Sequence, residues 1–423
     1  MKETICVVGL GYIGLPTAVM FARADHTVIC VDTNLRLLAQ LEQGQIPFDE
    51  PLLQTYFEKV NHNRLSYLPT PSTSDVFIIA VPTPVREEYK ADLTYVESAI
   101  NSILPVLEVG NLIIIESTIP PKTTDGVVTN LLTQAGWRVG EDIFLAHCPE
   151  RVLPGKIIVE MRENARIIGG INEASCNKAA SLYRSFVTGT ILTTSSINAE
   201  MCKLMENTYR DVNIALANEL AKASSVLGVN PLEVIQLANH HPRVQILQPG
   251  PGVGGHCIAV DPYFIIQQAH GQTPLMQTAR EINTSMPAFV AEQVTRIVSP
   301  SMNKKISIFG ITYKGNVSDF RESPALEVIH ILKELYTINV HDPKVEAHHS
   351  PVPLVSLEDC LVGSELLIVL ADHDEFYYLD AGELLAHMKS PIIFDTKNCV
   401  KLSNHPSIQY ISYNNLNEIP DTA

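Results

Sequence analysis

The sequence predicts an α/β protein in which two regions of parallel sheet are joined by a helical one. Three observations predict this class. Short apolar runs alternate with helical patterns over the first part of the chain. A long stretch, SSINAEMCKLMENTYRDVNIALANELAKASSVLGVN (195–230), then runs without proline and without glycine until Gly228. Strand and helix patterns alternate again from KKISIFGI (304–311) onward. The expected regions are 1–194, 195–300 and 301–423.

In the first region TICVVG (4–9) reads as a buried strand, IGLPTAVMFARA as the helix that follows it, and HTVICVD as a second strand ending at Asp32. VFIIAVP (76–82), LIIIEST (112–118), DIFLAHCPE (142–150) and ARIIGG (165–170) are further strand candidates, and each apolar run is read as ending in polar residues. Open α/β sheets place ligands beyond the carboxyl ends of their strands. In the middle region the helical spacing continues to about residue 240 and resumes over 272–298, with a glycine-dense loop between. In the last region INVHDP (338–343), ELLIVLAD (365–372) and IIFDTKN (392–398) complete the pattern.

A chain of 423 residues suits two or three domains. Its formal net charge of −16 argues against a broad polyanion-binding surface, so nucleic acid is not an expected partner. Small phosphorylated ligands remain compatible, because backbone N–H groups and a few cationic side chains hold them locally. No apolar run approaches the roughly 20 residues that span a bilayer, so membrane insertion is not expected. MKETICVVGL enters a strand without the regions of a signal peptide, and a cytoplasmic protein is expected. Eight cysteines with no C-x-x-C pair are expected to be free thiols, with no metal framework.

Gly9, Gly11 and Gly14 form G-x-G-x-x-G between a strand and a helix, with Tyr12 and Ile13 inside the motif and Asp32 at the end of the next strand. The context is that of a Rossmann-like dinucleotide site: a tight turn, backbone close to the pyrophosphate, and a carboxylate for the adenosine ribose. Asp32 repels a 2′-phosphate, so NAD is expected rather than NADP.

LQPGPGVGGHCIAVDP (247–262) surrounds Cys257 with Gly250, Gly252, Gly254 and Gly255. A buried filler cysteine is one reading. The other is a reactive thiol cleared of neighbouring side chains, with His256 and Asp261 close by to tune it. On the long helix Lys203, Asn207 and Asp211 recur every four residues and share a face, either a solvated stripe or part of a site. In HCPERVLPG (147–155) Glu150 is placed either as a catalytic carboxylate or in a loop ion pair with Arg151. NAD together with a nucleophilic cysteine implies conversion of an aldehyde to an acid, by way of a thiohemiacetal and a thioester.

GLGYIGLP, AVPTP, EST, CPER, AEMCKLMENTYRDVNIALANE, PGPGVGGHC and FGITYKGNVSDFRESPA, in this order, resemble the UDP-glucose/GDP-mannose dehydrogenase family over nearly the whole chain. NHHPRVQILQPGPGVGGHCIAVDP is most similar to the branch acting on UDP-N-acetyl-D-mannosamine. The resemblance implies an N-terminal NAD domain, a helical dimer core and a C-terminal UDP-sugar domain. It also implies a four-electron oxidation at C6 of a UDP-N-acetylhexosamine for a bacterial surface polysaccharide, with UDP-N-acetyl-D-glucosamine or another UDP-hexose as the alternative substrate.

By the same resemblance Cys257 is the nucleophile, Lys203 assists proton removal or stabilises an oxyanion, and Asn207 and Asp261 position water and lysine. Glu150 is the base in thioester hydrolysis, Thr118 sits near nicotinamide and water, and Thr83 lines the cofactor cleft. Arg151, Val152, Leu153, Gly254, Lys314 and Arg243, the last from across the dimer, are implied at the substrate, and Arg321 at the cofactor phosphates. Surface ion pairs are the other reading of Arg243 and Arg321. The chain departs from the UDP-glucose branch at Val260, where that branch has lysine, and at His256, where it has serine. Both departures favour a 2-acetamido sugar over glucose.

Overall fold

The computed structural model describes residues 2–48, 50–86, 89–402 and 405–419. Two compact units make up the chain: Met1–Glu206 with Tyr263–Ala269, and Asn207–Pro262 with His270–Ala423.

The first unit holds β1 (Thr4–Val8), β2 (Thr27–Val31), β3 (Leu65–Leu68), β4 (Val76–Ile79), β5 (Leu112–Ile115), β6 (Phe144–His147), β7 (Arg166–Gly170) and β8 (Ile191–Ser195). They form one sheet in the order β3-β2-β1-β4-β5-β6-β7-β8. Neighbours are parallel except β6 and β7, which are antiparallel. VFII of β4 and LIII of β5 are buried throughout, as unbroken apolar strands covered on both faces must be. One face packs on Leu15, Phe21 and Tyr183, the other on Val96, Ile100 and Leu132. The order reverses between β1 and β4, the crevice where doubly wound sheets bind dinucleotides.

The helix Ser196–Leu227 has 32 residues, and the division between the units falls within it, after Glu206. It is about 48 Å long at roughly 1.5 Å per residue. In the second unit, helices Pro231–Ala238, Pro274–Thr284 and Met286–Ile297 each begin with proline in the first turn, where its missing N–H costs nothing. The sheet there contains β9 (Lys305–Phe309), β10 (Thr337–His341), β11 (Leu366–Val369), β12 (Ile392–Asp395) and β13 (Gln409–Ser412) in the order β10-β9-β11-β12-β13, all parallel. Val290 and Val294 pack in one core with Ile306, Ile308 and Val328.

The α/β class with two parallel-dominated sheets is therefore as expected. Three strands lie beyond the sequence expectation, β3, β8 and β13, and each is the edge strand of its sheet. Among the described residues no helix is long and apolar enough to cross a membrane.

Candidate functional site

The turn after β1 is built for close packing. Asp32, at the end of β2, accepts the backbone N–H groups of Leu10 at 2.9 Å and Asn34 at 2.8 Å, which fixes its carboxylate beside the turn. A Cβ on Gly14 would lie 1.8 Å from the carbonyl oxygen of Gly9, whereas one on Gly11 would meet nothing within 4 Å. Gly14 is thus required by the protein's own backbone, and Gly11 leaves the open side on which a pyrophosphate approaches the start of helix Gly14–Arg23. Tyr12 is half exposed and stacks on Phe48 at 4.2 Å, and Ile13 is part-buried. These residues fit NAD. Gly14→Ala is expected to destabilise the fold by about 1–3 kcal/mol through overpacking. Thermal unfolding checks this, and an unchanged melting temperature would refute it.

At the carboxyl ends of β4 and β5, Thr83 donates its hydroxyl to the carbonyl of Thr118 at 2.6 Å, joining two of the expected cofactor residues. Glu150, just beyond β6, is buried. The loop ion pair with Arg151 is not formed. Only the backbone N–H of Arg151 reaches Glu150, at 2.8 Å, while its guanidinium binds Glu206 and the carbonyl of Ala165. The partner of Glu150 is Arg166 of β7, with Nη2 to Oε2 at 2.8 Å and both side chains buried. Arg166 also lies 3.7 Å from Glu116. Burial opposes the Arg166 charge but is outweighed, chiefly by Glu150, so the guanidinium is held well above its ordinary value.

The loop after Glu150 is pinned. Leu153 donates its N–H to Glu160 at 2.8 Å, and Gly155 and Ile157 donate theirs to Glu50 at 2.7 Å. Arg151 and Val152 are part-buried and Leu153 is exposed.

In the second unit the long helix acts as a polar ruler for the glycine loop. Asn213 holds the carbonyl of Gln245 and the N–H of Leu247, and Asn218 accepts the N–H of Gly250 at 2.9 Å. Asn207 is buried and bonded to Asp261. Asp211 is buried as well, with Arg280 at 2.6 Å and Asn283 at 2.8 Å. Burial raises the Asp211 carboxyl, against the pull of Arg280. A solvated stripe is therefore ruled out for Asn207 and Asp211, and Lys203, one turn before Asn207, is part-buried.

Cys257 closes the loop, and its carbonyl accepts the N–H of Asp261 at 2.8 Å as helix Asp261–Gln268 begins. Two of the glycines before it are crowded by the protein itself. A Cβ on Gly254 would stand 2.4 Å from the carbonyl oxygen of Glu322. Gly255 has φ +77°, and a Cβ there would stand 2.9 Å from the Tyr313 ring. Gly250 differs, since a Cβ there would meet only Lys397 Nζ at 3.9 Å, so crowding by the protein adds a reason for glycine at 254 and 255 without replacing the clearance argument. Asp319 accepts a forked pair of bonds from Arg321, Nε at 2.9 Å and Nη2 at 2.6 Å, and faces His256, the residue before Cys257, at 3.8 Å. Arg321 outweighs burial and holds the Asp319 carboxyl below its usual value. Arg321 also feels the charge of Cys257, after the larger effects of Asp319 and Tyr313. Val260 is buried.

Lys314 is exposed on a loop anchored by Thr312, whose hydroxyl donates to the Lys314 carbonyl at 2.8 Å, and by the Asn316 N–H on His373 Nδ1 at 2.9 Å. Arg243 is exposed after helix Pro231–Ala238. Burial pushes the thiol of Cys6 up to about 12 and those of Cys148 and Cys360 up to about 11. Cys202 is raised by burial and by Glu206, and Cys257 is part-exposed.

Sequence reasoning missed Glu116, Arg166, Glu206 and Asp319. One signal was present: ARIIGG is an apolar strand opened by a charge, and a charge buried in a parallel sheet demands a partner.

The NAD binding domain of the UDP-glucose/GDP-mannose dehydrogenase family matches residues 3–187, its central domain residues 197–285 and its UDP binding domain residues 307–402. A UDP-N-acetyl-D-mannosamine dehydrogenase of Methanococcus maripaludis is 48% identical over 412 residues, 95% of this chain and 94% of its own. An NDP-N-acetyl-D-galactosaminuronic acid dehydrogenase of Ralstonia solanacearum is 42% identical over 408 residues, 93% of this chain and 96% of its own. The solved UDP-N-acetyl-mannosamine dehydrogenase of Staphylococcus aureus is similar with a TM-score of 0.89 at 47% identity, covering 98% of this chain and 99% of that one. The chain belongs to the UDP-glucose/GDP-mannose dehydrogenase family and is an NAD-dependent dehydrogenase of UDP-sugars.

Proposed function

We propose that the chain oxidises UDP-N-acetyl-D-mannosamine at C6 to UDP-N-acetyl-D-mannosaminuronate, through a covalent intermediate on Cys257. The observation that carries this reading is the contrast among the thiols. Six of the eight cysteines are buried, and Cys202 sits beside a carboxylate that disfavours its thiolate. Cys257 is part-exposed, with the Arg321 guanidinium within electrostatic reach. Both relatives and the solved neighbour carry names of dehydrogenases of N-acetylated amino sugars, which supports a 2-acetamido substrate.

Bound NAD supplies the hydride acceptor for both oxidations. Lys203 takes the hydroxyl proton or holds the oxyanion at C6, and Asn207 and Asp261, fixed to each other, orient lysine and water. The Cys257 sulfur adds to the aldehyde carbon, and loss of hydride and a proton from the thiohemiacetal leaves a thioester. Glu150, held by Arg166, takes a proton from water as the oxygen attacks, with Thr118 beside it, and the carbon–sulfur bond breaks to return the thiol. The balance is one alcohol, one water and two NAD+ giving one carboxylate, two NADH and three protons. Arg151, Val152, Leu153, Gly254, Arg243 and Lys314 hold the UDP-sugar, and Arg321, oriented by Asp319, serves the cofactor phosphates.

The product, an acidic amino sugar still on its nucleotide, suits cytoplasmic use by a glycosyltransferase building a surface polysaccharide. UDP-N-acetyl-D-glucosamine differs only in C2 configuration, and NADH formation with each sugar tests the assignment. A higher kcat/KM is expected for the manno sugar, and a preference for the gluco epimer would overturn it.

Homodimerisation is part of the same reading. Met205, Tyr209 and Leu216 lie exposed along one face of the long helix, an apolar stripe of the kind that marks an interface. Light scattering is expected to give twice the chain mass, with Leu216→Asp shifting it toward the monomer. A monomeric parent chain would contradict the dimer.

A further inference from the structure

Glu150 shares its guanidinium with a second carboxylate that the reaction just described does not use. Glu116 follows β5 and is fully buried. Thr17, from helix Gly14–Arg23, donates its hydroxyl to Oε2 at 2.9 Å. Tyr183, at the end of helix Glu173–Tyr183, donates its hydroxyl to Oε1. Arg166 of β7 lies 3.7 Å from the same Oε1. From the segment after β6 come Glu150, on the far side of Arg166 at 2.8 Å, and Cys148, whose sulfur takes Arg166 Nη1 at 3.5 Å. The guanidinium lies over the Tyr183 ring at 4.6 Å. Two carboxylates and one cation thus share one buried cluster of the first unit.

We propose that Glu116 is a positioning residue for acid formation, acting on Glu150 through the guanidinium that the two share. The inference rests on the reading of Glu150 as the hydrolytic base. With Glu116 neutral, the whole Arg166 charge is available to Glu150, which is then held firmly in place. With Glu116 ionised, Arg166 is divided between two anions, its hold on Glu150 loosens, and Glu150 is freer to meet the attacking water. Burial pushes Glu116 up to about 7, with Glu150 adding to the rise and Arg166 opposing it, so the change falls in the working pH range.

The sign for stability follows from the same displacement. The folded chain prefers protonated Glu116, so its contribution to stability is fully present below the ordinary value of 4.5 and is lost as pH rises through about 7.

The test is the pH profile of single-turnover acid release in the holoenzyme with UDP-N-acetyl-D-mannosamine and NAD. The parent rate is expected to rise through an inflection near pH 7. Glu116→Gln should lose that inflection, with a rate at pH 8 roughly three- to tenfold below the parent, parity at pH 6 and unchanged KM values. A merely structural role would lower the rate equally at every pH, and that result, or an inflection retained in Glu116→Gln, overturns the proposal. Should Glu116→Gln fail to fold, Tyr183→Phe removes one bond to the carboxylate and keeps every charge. It should move the inflection to higher pH, and an unmoved inflection overturns the proposal as well. Glu150→Gln separates the two levels: lost acid release with an unaltered Glu116→Gln profile removes this inference alone, while retained acid release removes the base assignment and the inference together.

Discussion

Cys257→Ala is expected to abolish uronate formation, lowering acid release on the order of 10⁴-fold or more, the scale seen when a covalent nucleophile is removed. The first oxidation needs no sulfur, so the variant should release aldehyde with one NADH for each sugar consumed. Folding should survive, because Cys257 is part-exposed and holds the start of helix Asp261–Gln268 through its backbone carbonyl. The companion variant Cys202→Ala should keep acid release near that of the parent, since its thiol sits beside Glu206 and has no part in the reaction. Quenched reactions analysed for aldehyde and acid distinguish the cases. Steady acid release from Cys257→Ala would remove the thioester from the account.

Glu150→Gln is expected to slow acid release by about 10²- to 10⁴-fold, the usual contribution of a general base. Both hydride transfers precede the step that needs Glu150. The variant should therefore give a burst of two NADH per active chain and then stall, with the sugar held on Cys257 as a thioester visible in the intact mass. Arg166 keeps a carboxylate near it in Glu116, which limits the structural damage. Linear NADH formation without a burst, at the parent rate, would contradict the role.

Interior strands were legible in the sequence, whereas of the four edge strands only β10 was, for a physical reason. β4 and β5 are apolar throughout because both faces are covered. ILTTS of β8 and LSYL of β3 each carry polar residues facing solvent, so they resemble loops. The cofactor turn was legible because its constraints are local: Gly9, Gly14 and Asp32 meet across one strand–turn–helix unit. Glu150 was legible as a residue but not in its partner, because Arg166 arrives on β7 from 16 residues away. Asp211 and Arg280 are separated by 69 residues, and helical spacing alone does not decide between a solvated stripe and a site for Asp211. The glycines before Cys257 were noticed for clearance, yet the crowding of Gly254 and Gly255 comes from Tyr313 and Glu322, contacts made only in the folded chain.

Stoichiometry tests the central claim most directly. Incubation of the parent enzyme with limiting UDP-N-acetyl-D-mannosamine and excess NAD, followed to completion, is expected to yield two NADH and one uronate for each sugar, with no free aldehyde. One NADH per sugar with aldehyde as the product would contradict a four-electron oxidation through Cys257.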